Sequence, residues 1–283
     1  MLPQLDSILK NSPVLQGSST VNVITAGYSH QCFQVSTTNG QVFLKIFNVG
    51  QEQQQLDISQ LASKVGLAPQ VLEICPKLGY LITEFIDAPT LMSVDLGVAE
   101  KLQISAELIY QCHQMKARVT RLELSDTLNE LLLSAKLPPS SIGKLAAYSA
   151  SLIQTITIDD KRLVLSHGDV NFNNILVAVN KNYLLDWEYC YLAEPEFDLA
   201  MCLAINQIDM SLQPGFIKHY QQYLRGDGRF SHVICPEKVT RYHEYSLFIN
   251  ALWFVSLDVN NVSEQQKVMQ LRSKDYLSNI ISA

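Results

Sequence analysis

The stretch from Leu165 to Val177, LSHGDVNFNNILV, places polar residues between two short apolar runs, and LLDWEY follows at residues 184–189. Short apolar runs bounded by polar residues predict strands, so the segment is interpreted as a strand, a polar loop and a hairpin. Asp169 and Asn174 then lie on the loop, and the hairpin delivers Asp186. Because all three lie at strand ends, we expect their side-chain oxygens to meet.

These residue types suit phosphoryl transfer, which needs an oriented hydroxyl nucleophile and Mg²⁺ ions that neutralise the charge of the phosphates. Asp169 can accept a hydrogen bond from the attacking hydroxyl. Asn174 and Asp186 carry the hard oxygen ligands that Mg²⁺ prefers. The pattern favours transfer of the γ-phosphate of ATP to an alcohol, with Asp169 as the catalytic residue and Asn174 and Asp186 as metal ligands.

Composition limits the class of protein. With 47% hydrophobic and 17% charged residues, the 283-residue chain has ample apolar material for a buried core, which we expect to be divided between two lobes. Its net charge of −6 and the lack of a long Lys or Arg run argue against nucleic acid as a partner. Nucleic acid is therefore not an expected partner, and no obligate protein partner is inferred.

Cysteine usage and the first residues indicate the compartment. The six cysteines are scattered, without the spacing of a metal site, and are interpreted as reduced core residues. The start MLPQLDSILK lacks the pattern of a secretory signal, and no uninterrupted apolar run approaches about 18 residues. We therefore expect a cytoplasmic protein without a membrane partner.

Alternating polar and apolar residues predict strands in the first part of the chain. VNVITA, CFQVST and QVFLKIF lie between residues 21 and 47, with Asn39-Gly40 where a tight hairpin turn is expected. Helical spacing runs from residue 51 to 65 and stops at Gly66. QVLEI and GYLITEFI predict two further strands. Residues 1–86 are expected to form a small, antiparallel, five-stranded lobe with one helix.

Long helical patterns dominate after residue 86. They lie at about residues 98–115, 126–136 and 142–156, and helices resume after the strand-rich segment that holds Asp186. Residues 87–283 are expected to form a larger, mainly helical lobe. The two lobes together predict an α+β fold.

HGDVNFNN and LLDWEY resemble the catalytic and metal motifs of the aminoglycoside phosphotransferase and choline kinase superfamily, which is related to the protein kinases. LLDWEY is most similar to the choline and thiamine kinase branches. The resemblance covers nearly the whole chain. It implies a two-lobed, protein-kinase-like fold, ATP and Mg²⁺ as cofactors, an N-terminal nucleotide-binding lobe and a C-terminal catalytic and substrate-binding lobe.

The resemblance also implies residues that hold the nucleotide phosphates. Lys45, in QVFLKIF, matches the strand lysine that holds the α- and β-phosphates. The preceding hairpin, TAGYSHQCFQV, keeps Gly27 where protein kinases carry three glycines. Ser29 can offer a hydroxyl or a backbone donor to phosphate.

Two further parts of the nucleotide site are implied by the resemblance. The helix after the first strands supplies the acid that pairs with Lys45; Glu52 is favoured for this role, and Asp57 lies in the same candidate helix. LITEFIDAP resembles the hinge whose backbone holds adenine, with the carbonyl of Glu84 and the amide of Ile86 as the expected contacts.

Two residues are expected to support the catalytic loop. His167 matches the motif histidine that braces this loop without acting as a base. Asp198, in EFDLA, matches the aspartate that holds the same loop from a following helix. His113 is interpreted as a core histidine whose ring nitrogens have hydrogen-bond partners.

The helical pattern from residue 237 to 258 is rich in aromatic residues, and aromatic faces attract cations by roughly 0.5–2 kcal/mol each. Trp253 lies in NALWFVSLD, which resembles the tryptophan-bearing helix of choline and thiamine kinases. Trp253 and Tyr245 are the predicted substrate contacts on this helix, although aromatic residues at helical spacing are also typical of a core.

Glu188 can add negative charge near the acceptor, with Trp187 packed beneath it. Alternatively, both residues can support the metal-binding aspartate, Asp186. A small cationic alcohol of the thiamine or choline type is the implied acceptor.

Two other functions remain open at this point. An aminoglycoside-type kinase is expected to have an acceptor cleft lined by acids and not by aromatic residues. A non-catalytic nucleotide-binding pseudokinase is suggested by the sparse glycines of the hairpin. The presence of Lys45, Asp169, Asn174 and Asp186 together argues against the pseudokinase.

Overall fold

The computed structural model describes residues 3–24, 30–47, 52–227, 233–258 and 264–282, with the backbone alone for Pro3, Glu52, Gly226, Asp227 and Gln265. Its strands are β1 (Thr20–Ile24), β2 (Gln31–Thr37), β3 (Gly40–Ile46), β4 (Val71–Cys75), β5 (Tyr80–Glu84), β6 (Val164–Ser166), β7 (Ile175–Val177), β8 (Asn182–Leu184) and β9 (Tyr191–Ala193). Its α-helices are α1 (Pro3–Asn11), α2 (Glu52–Lys64), α3 (Val98–Gln114), α4 (Leu124–Ser134), α5 (Pro139–Gln154), α6 (Pro195–Ile205), α7 (Gln213–Asp227), α8 (Pro236–Ser256) and α9 (Glu264–Ser282).

The predicted five-stranded sheet is confirmed. Its strand order is β1-β2-β3-β5-β4, and every neighbouring pair is antiparallel. The β2–β3 hairpin closes where Thr37 pairs with Gly40, whose φ of 123° favours glycine at this turn. Val35, Leu44 and Ile82 are fully buried on one face of the sheet. This face forms the core of the first part of the chain.

Helix α1 covers that core and was not predicted. Leu5 and Ile8 of α1 pack in the same buried cluster as the sheet residues Val35 and Leu44. A helix of nine residues is marginal in isolation, so tertiary packing supplies most of its stability. The local sequence therefore carried too little signal for this element.

Helix α2 begins and ends close to its predicted bounds of 51 and 65. Gly66 follows it with φ of 78°, in the left-handed region that commonly ends helices. The amide of Leu67 donates to the carbonyl of Ala62 at 2.8 Å, which satisfies a carbonyl of the last turn. The predicted helix stop at Gly66 is confirmed.

Helices α3 to α9 make up most of the second part of the chain. The predicted helices near residues 98–115, 126–136 and 142–156 correspond to α3, α4 and α5. Helix α6 is buried along residues 195–204, which explains why it shows no amphipathic pattern. None of the helices among the described residues is long and apolar enough to cross a bilayer. The mixed α and β class with a helical C-terminal part is confirmed.

The chain divides into two compact units. The first comprises residues 1–96 and 172–190, and the second comprises residues 97–171 and 191–283. The sequence patterns predict a division into residues 1–86 and 87–283, whereas the structure groups residues 172–190 with the first part of the chain. The β7–β8 hairpin groups with the first unit because Leu184 N donates to Leu67 O, and Leu91 N to Ile175 O, each at 2.8 Å. The functions assigned to the two lobes stay predictions.

No disulfide joins the six cysteines, all of which lie in the described ranges, and Cys32, Cys112, Cys190 and Cys202 are buried. Burial raises the pKa of the Cys32 thiol to about 11, although Lys45 nearby opposes this shift. Burial likewise raises the pKa of Cys202 to about 12. These two thiols are held in the unreactive protonated form at neutral pH.

We expect Gly66→Ala to lower the free energy of unfolding by roughly 1 kcal/mol, because a Cβ is disfavoured in the left-handed region. Urea unfolding followed by circular dichroism measures this change. Gly143→Ala is the matched control: Gly143 lies inside α5, and an added Cβ meets nothing within 4 Å. It should raise stability by about 0.5–1 kcal/mol. Equal effects of the two substitutions would contradict the assignment of Gly66 as a helix stop.

Candidate active site

Asn174 and Asp186 lie at the same end of the β7–β8 hairpin. Ile175 pairs with Leu184, and beyond this pair the amide of Leu185 donates to the carbonyl of Asn174 at 2.8 Å. Asn174 directly precedes β7, and Asp186 follows the end of β8, so both residues lie at the end of the hairpin opposite its turn. Asp186 has φ of 66°, a conformation that aspartate tolerates better than most residues. The hairpin thus places the two residues that were predicted as metal ligands at one end of its strands.

Lys45 is buried on β3, and its Nζ lies 2.6 Å from Asp186 Oδ1. The side chain of Asp186 keeps 32% of its surface exposed, whereas that of Lys45 keeps 9%. A buried ammonium needs a counter-charge, and Asp186 provides it. The ion pair joins the predicted phosphate-binding lysine to the predicted metal ligand.

The acid that the structure shows paired with Lys45 is Asp186, which lies outside helix α2. Asp57 is exposed and accepts a hydrogen bond from Gln53 at 2.8 Å, on the solvent side of the helix. The side chain of Glu52 lies outside the described part of the chain, so the pairing predicted for Glu52 stays a prediction. The pairing of Lys45 with Asp186 was not predicted, because the family resemblance implies a counter-ion in the helix after the first strands.

His30 and Glu188 form a second polar pair beside Lys45. His30 Nε2 lies 2.7 Å from Glu188 Oε2, and both side chains are largely buried. The Phe47 ring lies between the two pairs: it meets the His30 ring edge-on at 5.1 Å, and Lys45 Nζ lies 5.5 Å from its centroid. His30 was missed by the sequence analysis. Its position directly before β2, beside the predicted phosphate hairpin, was the available signal.

The predicted phosphate hairpin and hinge are described only in part. Gly27 and Ser29 lie outside the described residues. Glu84 ends β5, its side chain accepts from Gln70 N at 2.8 Å, and its carbonyl accepts the Thr83 hydroxyl at 3.0 Å. Since a carbonyl oxygen has two lone pairs, that of Glu84 can still accept a second hydrogen bond.

The first part of the predicted catalytic loop, as far as residue 171, belongs to the second unit. Gly168 has φ of 76°, which turns the chain sharply between His167 and Asp169. His167 is fully buried, and its Nδ1 accepts a hydrogen bond from the Asp169 amide at 3.2 Å. The imidazole therefore braces the backbone of the next residues, which is the supporting role predicted for it. The Asp169 side chain is only partly buried.

Asp198 holds this loop from the first turn of α6. Its Oδ1 accepts from Gly168 N and its Oδ2 from His167 N, both at 2.8 Å. His113 Nε2 lies 3.0 Å from Oδ2, and His113 Nδ1 lies 2.7 Å from the Tyr220 hydroxyl. Because a carboxylate only accepts, His113 Nε2 carries the hydrogen that points to Asp198. His113 is thus a core histidine with both nitrogens engaged.

Burial of Asp198 works to raise its pKa, but the hydrogen bonds from His113 and Gly168 outweigh burial and lower the pKa. The carboxylate is therefore ionised at neutral pH. Burial raises the pKa of the Tyr220 hydroxyl, which keeps its proton as a donor. Together these groups form a fixed support beneath the loop.

The aromatic residues of α8 divide into two sets. Tyr242, Tyr245 and Phe248 are buried in the second unit. The Tyr245 hydroxyl donates to the Leu124 carbonyl at 3.1 Å, so Tyr245 is a core residue here and not the substrate contact that was predicted. Trp253 is only half-buried and meets Phe254 edge-on at 5.0 Å. Trp253 is the predicted aromatic contact that keeps exposed surface.

Trp187, predicted to pack beneath the acceptor, is buried in the first unit directly after Asp186. Asp169 belongs to the second unit, whereas Asn174 and Asp186 belong to the first. That the three oxygen groups meet stays a prediction. Across the described ranges, no group of three or more His, Cys, Asp and Glu side chains could hold a metal ion; the predicted pair contains one asparagine and one aspartate.

A buried strand lysine paired with an aspartate that follows a strand is an arrangement expected in kinase-like phosphotransferases. The chain belongs to the phosphotransferase enzyme family, whose model matches residues 20–232. No curated protein matches the chain.

Several solved structures share the fold. A choline kinase, LicA, from Streptococcus pneumoniae has a TM-score of 0.74 at 18% identity, over 97% of this chain and 99% of that chain. A choline/ethanolamine kinase family protein from Mesorhizobium loti has a TM-score of 0.73 at 17% identity, over 99% and 95%. The spectinomycin phosphotransferase APH(9)-Ia has a TM-score of 0.67 at 16% identity, over 99% and 96%. At these identities the likeness establishes the fold and leaves the acceptor open.

We expect Asp198→Asn to lower the free energy of unfolding by roughly 3–5 kcal/mol at pH 7, because the amide places a donor against backbone amides in a buried site. The lowered pKa means that the stabilisation is fully present above the ordinary value of 3.8 and is lost as the pH falls through the folded pKa. The difference between the two proteins should therefore shrink in acid. Urea unfolding between pH 7 and pH 3 measures it.

Asp160→Asn is the control for this substitution. Asp160 pairs with Arg121 at 2.8 Å, but its side chain is 67% exposed. Exposed pairs contribute little, so a change within about 0.5 kcal/mol is expected. If Asp198→Asn cost no more than this control, the support that we assign to Asp198 would be incorrect.

Proposed function

We propose that the protein is an ATP- and Mg²⁺-dependent kinase that transfers the γ-phosphate to the hydroxyl of a small cationic alcohol of the thiamine or choline type. The observation that carries the proposal is the 2.6 Å contact between Lys45 and Asp186, at the end of the hairpin that also presents Asn174. This contact unites a phosphate-binding cation with a metal-binding carboxylate. Membership of the phosphotransferase family supports the same reaction class.

Asn174 and Asp186 fit a magnesium ion by the chemistry of their donor atoms. Both supply hard oxygen ligands, and the hairpin bond from Leu185 to Asn174 keeps the two residues at one end of the strands. The Asp186 side chain keeps 32% of its surface exposed, so it is accessible from solvent. When bound, the ion would neutralise charge on the nucleotide phosphates.

Lys45, the hinge backbone and the phosphate hairpin are proposed to hold the nucleotide. Lys45 would contact the α- and β-phosphates, and the Glu84 carbonyl and the Ile86 amide would contact adenine. Gly27 and Ser29 would line the phosphates from the hairpin. Structures of related enzymes contain AMP, in LicA, or ADP, in the spectinomycin phosphotransferase, which supports a nucleotide substrate.

Asp169 is the proposed catalytic residue. The alcohol oxygen forms a bond to the γ-phosphorus while the bond from that phosphorus to the bridging oxygen breaks, and ADP leaves with the electron pair. The Asp169 carboxylate accepts the hydroxyl proton and later releases it to solvent. His167 and Asp198 hold the backbone on either side of Gly168, so they keep Asp169 aimed without taking part in proton transfer.

A cationic acceptor is favoured by Trp253. This side chain and its neighbour Phe254 keep exposed surface on α8, whereas the other large aromatic residues of the helix are buried. Aromatic faces hold quaternary ammonium groups by roughly 0.5–2 kcal/mol each. The likeness to choline kinases agrees with this choice, while the likeness to a spectinomycin phosphotransferase keeps an aminoglycoside acceptor as the second candidate.

We expect Asp169→Ala to lower kcat by about 10³-fold or more, because the hydroxyl loses the group that orients it and accepts its proton. ATP affinity should be retained. A coupled ADP-release assay with thiamine, choline, ethanolamine and an aminoglycoside panel identifies the acceptor first and then measures the variant. Turnover equal to wild type would eliminate Asp169 as the catalytic residue.

The same screen separates the candidate functions. Mg²⁺-dependent ADP release with thiamine or choline supports the proposal, and release with an aminoglycoside alone supports the second candidate. Binding of the nucleotide without its consumption with any alcohol would indicate a pseudokinase.

Trp253→Ala offers an independent check: it should raise KM for a cationic alcohol with little change in KM for ATP.

A further inference from the structure

The segment from Asp186 to Cys190 is held to the rest of the first unit at alternate residues. Asp186 pairs with Lys45 of β3 at 2.6 Å. Glu188 pairs with His30, directly before β2, at 2.7 Å. The carbonyl of Cys190 accepts a hydrogen bond from Gln54 of α2 at 2.9 Å. Three contacts from three separate parts of the first unit therefore fix these five consecutive residues.

The Glu188 contact has a defined direction. An ionised carboxylate only accepts hydrogen bonds, so His30 Nε2 must carry the hydrogen that lies between them. The contact does not require a charged imidazole, because the neutral ring with hydrogen on Nε2 can donate equally. Each side chain keeps only 14% of its surface exposed, so loss of either partner leaves a largely buried polar group without this hydrogen bond.

The position of the His30 ring is itself fixed by packing. The ring meets the Phe47 ring edge-on at 5.1 Å. Phe47 is 2% exposed and packs in a buried cluster with Leu56 of α2 and Leu81 of β5. Since the cluster spans the helix and the sheet, it presents His30 Nε2 to Glu188 from a rigid base.

We propose that His30 and Glu188 are a positioning pair that holds Asp186 in place for the Mg²⁺ nucleotide, and that Glu188 does not bind the cationic acceptor. The inference rests on the proposed function and assigns a role to two residues of that site. Asp186 occupies a left-handed backbone conformation that is unfavourable unless neighbouring contacts maintain it. Glu188, two residues away, supplies such a contact, and its carboxylate is committed to a partner inside the first unit.

The test uses the full-length protein and the variants His30→Ala, Glu188→Ala and the double variant. A fluorescent ATP analogue is titrated with and without Mg²⁺, and circular dichroism confirms that each variant is folded. Partners that orient a metal ligand typically change metal affinity or activity by about 10–100-fold when removed. We expect Mg²⁺-dependent nucleotide affinity to fall by at least about 10-fold in each single variant. The double variant should be no weaker than the weaker single variant, because the two residues act through one contact.

Conservative and control variants sharpen the result. His30→Gln can place an amide donor near the position of Nε2 and should restore most of the affinity. Asp57→Asn alters an exposed acid on the outer face of α2 and should leave binding unchanged. Gln54→Met removes the donor to Cys190 while keeping the side-chain size, and should weaken Mg²⁺-dependent binding in the same direction as Glu188→Ala.

Steady-state kinetics with the acceptor found by the ADP-release screen distinguish the two roles of Glu188. KM for the acceptor should stay within about 2-fold of wild type in Glu188→Ala while KM for Mg²⁺-ATP rises, given the usual scatter of independent sites. A rise in acceptor KM alone would overturn the inference, as would unchanged nucleotide affinity in both alanine variants. Wild-type protein that binds no Mg²⁺-ATP would overturn the proposed function and this inference together, whereas normal binding in wild type and variants alike would overturn the inference alone.

Discussion

The Lys45–Asp186 ion pair is the interaction on which the rest of the candidate site depends. It joins a strand of the sheet to a hairpin 141 residues later in the chain. Because Lys45 is buried, its ammonium has lost most of its hydration and needs a counter-charge. The carboxylate of Asp186, on the hairpin, supplies it. Asp186, by contrast, is partly exposed. Under the proposed function, this difference in burial lets one contact stabilise the free protein while Asp186 stays accessible to a metal ion.

Asp198 shows how the fold uses a second carboxylate for a different purpose. It is fully buried, and backbone amides and His113 occupy both of its oxygens. Such a group cannot exchange partners without leaving donors unsatisfied, so it serves as fixed support. Under the proposed function, the partly exposed Asp186 would serve as a metal ligand, whereas the buried Asp198 supports the loop. Burial, and not residue type, separates them.

Much of the fold followed from local patterns. The five strands of the sheet, helices α2 to α5 and the stop at Gly66 were predicted because their periodicity and turn residues are local properties of the sequence. Helix α1 and strand β9 were missed. The first is short and gains its stability from packing of Ile8 against the sheet, and the second is three residues long and pairs with β6. The grouping of residues 172–190 with the first unit depends on hydrogen bonds to Leu67 and Leu91, which no local pattern encodes.

The sequence by itself determined the chemistry that the site offers: a strand lysine, a loop aspartate, and an asparagine and aspartate at the open end of a hairpin. These residue types and their spacing are present in the sequence, and they suffice to indicate phosphoryl transfer. Only the tertiary structure decided which partner each charged group faces. It paired Lys45 with Asp186, turned Asp57 to solvent, buried Tyr245 and brought His30 to Glu188. Pairings of this kind join residues that are distant in sequence, and they follow from the free energy of packing the whole unit, because no short segment contains both partners.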